Sequence, residues 1–294
     1  MYPASFDYHR PAEIAEALEL LDKHGDDARV LAGGFSLIPA MKLRMVQPAH
    51  LIDIGGIEML KGIRREDDTL SIGALTTHWE IESSSMIAEW FPALGRAAGV
   101  IADAQVRNRG TIGGSLSYSD PNADYPAHIL ALDAKMVTMS LRGGRIIDAA
   151  DWQQGLLSTA LEPGEILIDI RLPKPAPRTG ATYIKVPHPA SRFAVIGVAT
   201  SVSADASGRA RSLRIGVTGT STTARRAQAM ERVLEGSSLT PSAVEEASAQ
   251  AAEGLEFNDD MLLSAEDRAH LCRVTARQAV LNAWSQVLQQ AVPA

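Results

Sequence analysis

Apolar side chains recur on one helical face at Ile14, Ala17, Leu18 and Leu21, so residues 11–24 predict an amphipathic helix, with Pro11 suited to its first turn and Gly25 to its stop. A short apolar run at 28–32 predicts a strand entering Gly33-Gly34, and a helix follows from about Leu37 with Ser36 as cap. Strands are predicted at 50–54 and 69–76, then a long helix over 84–100, broken near Phe91-Pro92. Asp120-Pro121 offers a cap and a first-turn proline for a helix to Leu132. Residues 135–147 predict a hairpin turning at Gly143-Gly144, and 165–172 predict a further strand.

The proline-spaced run PKPAP at 173–177 is stiff and suits a domain boundary. Beyond it, three strand patterns (182–186, 194–203, 211–217) precede three helical ones (223–234, 241–253, 264–288), the order of a smaller α+β domain. The glycine turns that bear on ligand binding lie before this linker.

Composition narrows the picture. At 294 residues with 46% hydrophobic side chains, the chain can build two or three cores. Twenty-eight basic against 35 acidic residues give a net charge of −7, which argues against nucleic-acid backbone binding. The single cysteine, Cys272, excludes an intrachain disulfide, a cysteine zinc site and an iron–sulfur cluster held by this chain. The histidines at 9, 24, 50, 78, 128, 188 and 270 read as scattered, without the close helical pairing of a metal site, so any metal is expected on another chain. The N-terminal stretch lacks a basic segment followed by an apolar one, and no run approaches about 20 apolar residues. The expectation is a cytoplasmic protein without a membrane span.

Two segments share a pattern: Ala32, Gly33, Gly34, Phe35, Ser36, Leu37 and Thr111, Ile112, Gly113, Gly114, Ser115, Leu116. Glycine lets a ligand approach the backbone, and successive amides can cradle an anion beside a helix start. Two such loops could grip two phosphates; Gly-Gly also makes plain tight turns, as at Gly55-Gly56. Neither loop fits G-x-G-x-x-G or a P-loop.

The segments AGGFSLIPAMKLRMVQPAHLIDIG, RNRGTIGGSLSYSDPNADYPA and YIKVPHPASRFAVIG, in this order, resemble the FAD-binding medium subunit of molybdenum hydroxylases, the carbon monoxide dehydrogenase and xanthine dehydrogenase type enzymes. The resemblance implies an α+β fold: a PCMH-type FAD-binding region over 1–176, with subdomains about 1–55 and 56–176, then a C-terminal domain over 177–294 with a three-stranded antiparallel sheet and helices. It implies that residues 32–37 and Thr111, Gly113, Gly114 and Ser115 surround the FAD pyrophosphate. Asp124 matches an acid near the ribose and adenine, and Ile101 and Leu167 match apolar positions packing on FAD. Without the resemblance, Ile101 and Leu167 read as ordinary core, and Asp124 as a helix first-turn acid.

Lys185 matches a lysine near the cofactor and shares a strand face with Tyr183; the alternative is a solvated surface lysine. Phe193 stands where some relatives have a tyrosine beside the isoalloxazine; it can stack but cannot donate a hydroxyl hydrogen bond. Arg107 and Arg109 are placed to face phosphate, a partner or solvent, and His78 reads as structural. No catalytic acid–base residue and no metal ligand is expected here. The implied role is electron transfer from [2Fe–2S] clusters on a small subunit, through FAD, to NAD, quinone or oxygen. Substrate oxidation is expected at a molybdenum cofactor on a large subunit, in a dimer of heterotrimers. A self-contained FAD reductase using a nicotinamide, or a non-enzymatic assembly subunit, are the alternatives.

Overall fold

The computed structural model describes residues 1–290. Three larger sheets organise it, beside a two-stranded pair of Gln153–Gly155 and Ser158–Thr159. The first is a parallel three-stranded sheet in the order Asp7–His9, His50–Asp53, Ala28–Leu31, covered by the helix Ile14–His24. That helix begins three residues after Pro11 and stops at Gly25, whose positive φ of 49° suits glycine. Ala17 and Leu18 seal it against Ile52 and Ile54.

The second sheet is antiparallel and five-stranded, in the order Ile63–Glu66, Thr69–Gly73, Ile166–Pro173, Lys135–Ser140, Gly143–Asp148. The hairpin turns at Leu141-Arg142, so Gly143 and Gly144 belong to the second strand rather than to the turn. The expected long helix is two, Ser85–Trp90 and Pro92–Gly99, because Pro92 starts a new first turn. The helix expected from Asp120 begins four residues later, at Tyr125–Ala131: the Asp120 carboxylate accepts from the Asn122 amide at 2.8 Å, closing a turn instead of a cap.

The third sheet carries four antiparallel strands, not three: Thr179–Pro187, Ala194–Ala204, Ala210–Thr218 and Arg225–Arg226. Two arginines are too short a run to show periodicity; they pair with Gly216 and Val217, and Arg226 is anchored on buried Glu231. Ala194–Ala204 is buried along nearly its whole length. Ile196, Val198 and Val202 face Ala276, Ala279 and Val280 of the helix Ala265–Gln290, while Ala199 meets Ala127 and Ala131 from the N-terminal region. The helix Tyr125–Ala131 therefore belongs in sequence to the first region and in packing to both. Cys272 is fully buried in the C-terminal core, and burial pushes its thiol up to about 12, leaving it unreactive at neutral pH.

Candidate functional site

The two glycine loops meet. A Cβ on Gly33 would collide with the Arg109 carbonyl oxygen and lie 2.8 Å from the Gly110 Cα, and a Cβ on Gly114 would approach Ala32. Their roles differ. Among the described residues, the amides of Gly33, Gly34, Phe35, Ser36 and Leu37 have no protein acceptor. Gly34 turns the chain at φ 83°, and Ser36 does not cap the following helix Leu37–Lys42. Five successive free N–H groups are a ready donor set for phosphate oxygens.

In the second loop the donors are already bonded within the chain. Ile112 donates to the Thr76 carbonyl, Gly113 to Ala74, Gly114 to Thr111 Oγ1 and Ser115 to the Thr111 carbonyl, all at 2.9–3.1 Å. Gly113 is needed because its missing Cβ makes room for Ala74, and buried His78, hydrogen-bonded to Tyr125 at 3.0 Å, seats Gly110. Burial lowers the His78 pKa to about 4, so it is neutral and structural. The second loop thus builds a rigid wall against which the first loop presents its amides. Thr111→Ala is expected to lower stability by about 1 kcal/mol through loss of the helix cap, read as a lower urea midpoint, with Thr111→Ser retaining most of it.

A cleft of about 430 Å³ opens between the two regions, lined by Val100, Arg107, Lys185, His188 and Arg192 among others. Arg107 pairs with Glu82 at 3.0 Å and donates to the Ile101 carbonyl, while Arg192 donates to the Ala102 carbonyl, so the basic rim is fixed from both sides. Ile101 is half-buried beside this wall. Phe193 closes the tight loop after His188 and is 44% exposed, an aromatic face free to stack. Leu167 is not brought to the cleft: it is 3% exposed inside the core of the second sheet.

Asp124 and Lys185 are joined directly, 2.9 Å apart and both about nineteen-twentieths buried. Tyr183 donates to the same carboxylate at 2.6 Å, and Lys185 also donates to the Val100 carbonyl. Lys185 is therefore not a solvated lysine, and Asp124 caps no helix. The rest of DPNAD is held likewise. Gly219 donates to the Pro121 carbonyl at 2.8 Å, Ala194 to Asn122 at 3.1 Å, and Thr218 Oγ1 lies 2.6 Å from the carbonyls of Pro121 and Ala123. Sequence reasoning missed this clamp between the regions, although the shared strand face of Tyr183 and Lys185 was its signal. Burial pushes the Asp124 carboxyl above the ordinary range, with Lys185 and Tyr183 acting against the rise.

The histidines are also less scattered than their spacing implied. His9, His24 and His50 converge, because two strands and a helix end contribute one each and no single-helix motif records it. Among the described residues, no helix is long and apolar enough to cross a membrane.

Free loop amides and a glycine cradle that side chains would fill suit an anionic ligand, while the basic cleft is lined by neither residues 32–37 nor 111–115; similarity to known proteins defines the class as a flavin-binding oxidoreductase subunit. Residues 4–175 match the FAD binding domain in molybdopterin dehydrogenase, and residues 181–283 the CO dehydrogenase flavoprotein C-terminal domain. The chain is 37% identical over 286 residues to the carbon monoxide dehydrogenase medium chain of Hydrogenophaga pseudoflava, covering 97% of this chain and 99% of that one. It is 36% identical to subunit alpha of the 6-hydroxypseudooxynicotine dehydrogenase complex of Paenarthrobacter nicotinovorans, with 96% of each covered. A solved carbon monoxide dehydrogenase from H. pseudoflava, lacking the Mo-pyranopterin moiety of its cofactor, superposes with a TM-score of 0.94 at 39% identity over 97% of this chain and 99% of that one. The chain belongs to the FAD-binding medium subunits of the molybdenum hydroxylases.

Proposed function

We propose that this chain is the electron-transfer flavoprotein subunit of a molybdenum-containing hydroxylase or dehydrogenase. FAD supplies a carrier that takes up electrons singly or in pairs: here, electrons released at molybdenum on a large partner and relayed by [2Fe–2S] clusters on a small one, then yielded to NAD, quinone or oxygen. The observation that carries this reading is the run of five unpaired amides at 33–37 braced on the rigid second loop. In it, Ala32 to Leu37 bind the pyrophosphate, with Thr111, Gly113, Gly114 and Ser115 as the opposing wall. Ile101 and Phe193 border the flavin, Asp124 and Lys185 hold the two regions in register, and Leu167 backs the sheet behind them.

The same reading divides the chain into a flavin-binding region over 1–176, with subdomains about 1–55 and 56–176, and a C-terminal domain over 177–294; the separate sheets support it. Relatives named for carbon monoxide and for 6-hydroxypseudooxynicotine match almost equally, which supports a choice of substrate made on another chain.

Native mass spectrometry of the purified complex tests the assignment. FAD on this chain, with a molybdenum-bearing large chain and a cluster-bearing small chain in a dimer of heterotrimers, is the expected result. An isolated, FAD-free chain that is itself active would overturn it.

A further inference from the structure

His9 ends the edge strand of the parallel sheet, His50 begins its central strand, and His24 is the last residue of the helix laid over them. In the parallel register Asp7 lies opposite His50, so Asp7, His9 and His50 share one sheet face by the alternation of strand side chains. The rings of His24 and His50 have centroids 3.6 Å apart, and His9 lies 5.4 and 5.3 Å from them. One nitrogen of each ring falls within 4.8 Å of the others, and His9 Nε2 is 3.2 Å from His50 Nδ1. Tetrahedral zinc–nitrogen bonds of about 2.0–2.1 Å hold ligand nitrogens about 3.3 Å apart. The His9–His50 pair is joined by a hydrogen bond of nearly that spacing, and closure on one cation would require the His24 ring to turn out of its stack on His50.

Two further observations point to a ligand. His24 Nε2 is shielded from solvent and has no hydrogen-bond partner. The Asp7 carboxylate lies 3.6 Å from His50 Nδ1 on the solvent side, placed for a fourth position. Three imidazoles in contact share few donors and acceptors among themselves, whereas a divalent cation would use a lone pair from each. Imidazole sets of this kind prefer zinc, copper and nickel over magnesium or calcium.

We propose that His9, His24 and His50, with Asp7, form a binding site for one first-row divalent transition cation. The site would clip the N-terminal strand and the first helix to the central strand. It lies on the side of the sheet bearing the outer strand Asp7–His9, whereas the first glycine loop follows the opposite outer strand, Ala28–Leu31. The cation is therefore structural rather than part of the flavin site, and the proposal is independent of the electron-transfer role.

Calorimetric titration of the full, tag-free, FAD-loaded chain with zinc chloride after chelator treatment tests it. One zinc per chain should bind saturably and raise the thermal midpoint. His24→Gln and His50→Gln should each weaken binding at least about tenfold, and Asp7→Asn less, with FAD content unchanged. His24→Gln sits at a helix end and stands alone as the test should His50→Gln fail to fold. No saturable zinc binding, or binding undiminished in His24→Gln, would overturn the site.

Discussion

Gly33→Ala is expected to weaken FAD binding about 5- to 150-fold while leaving the C-terminal domain folded. The argument is one of space. Gly33 does not occupy the left-handed region, so alanine is conformationally acceptable there; what its methyl group meets is the backbone of Arg109 and Gly110. Backbone cannot swing aside as a flexible side chain can, and the second loop is pinned by four amide hydrogen bonds and by buried His78. The first loop must therefore retreat, carrying the free amides at 33–37 away from the wall they face.

Overpacking of this kind costs about 1–3 kcal/mol. If that cost falls on the bound geometry, it converts at 1.4 kcal/mol per tenfold into the range above. Fluorescence titration of the deflavinated chain with FAD measures it. Gly143→Ala is the control: Gly143 has a positive φ of 119° and open space around it, so its cost is confined to the hairpin. Equal FAD affinity in Gly33→Ala and the parent would remove the first loop from the site.

That wall and its amides were only partly legible in the sequence. The glycine pairs announced close approach, but not that the second loop bonds its own amides while the first leaves them free. That distinction depends on Thr76 and Ala74 lying under the second loop, contacts between residues more than 30 positions apart. Elements with strong local signals were readable: Ala17 and Leu18 mark the first helix, and Pro92 marks the break after Trp90. Local signals also misled where two devices compete for one residue. Asp120 suits a helix cap, yet its carboxylate closes a turn on Asn122, and the helix waits until Tyr125. Arg225–Arg226 and the three-histidine cluster were invisible for different reasons: two residues are too short a run to show periodicity, whereas the histidines come from three separate elements.

Asp124 illustrates how a family motif and a structural role can coincide in one residue. Its carboxylate receives Tyr183 and Lys185 from the C-terminal domain, while its neighbours in DPNAD accept from Ala194 and Gly219. The cleft lined by Lys185, Arg107 and Arg192 lies along this seam. Lys185 thus both lines this cleft and holds the two regions together through Asp124.

Lys185→Met should accordingly destabilise the protein by about 3–5 kcal/mol near pH 8, since it strands a buried carboxylate without its cation. The loss has a definite pH dependence. Burial raises the Asp124 pKa above its ordinary 3.8, and removing Lys185 removes the largest influence opposing that rise. Between 3.8 and the folded-state value the native chain holds a proton that the unfolded chain has released. Stability in this window therefore falls as pH rises, and the window extends to higher pH in the variant than in the parent. The difference between parent and Lys185→Met in urea unfolding should be smaller at pH 5 than at pH 8, and an equal difference at both would mean that Asp124 is not the stranded group. Asp124→Asn with Lys185→Met removes both charges and should recover much of the stability, leaving the Tyr183 hydroxyl a neutral acceptor. The double variant also separates the two roles of the acid: if it folds but has lost FAD affinity, Asp124 or Lys185 touches the cofactor as well as clamping the seam, whereas retained affinity assigns the pair to the clamp alone.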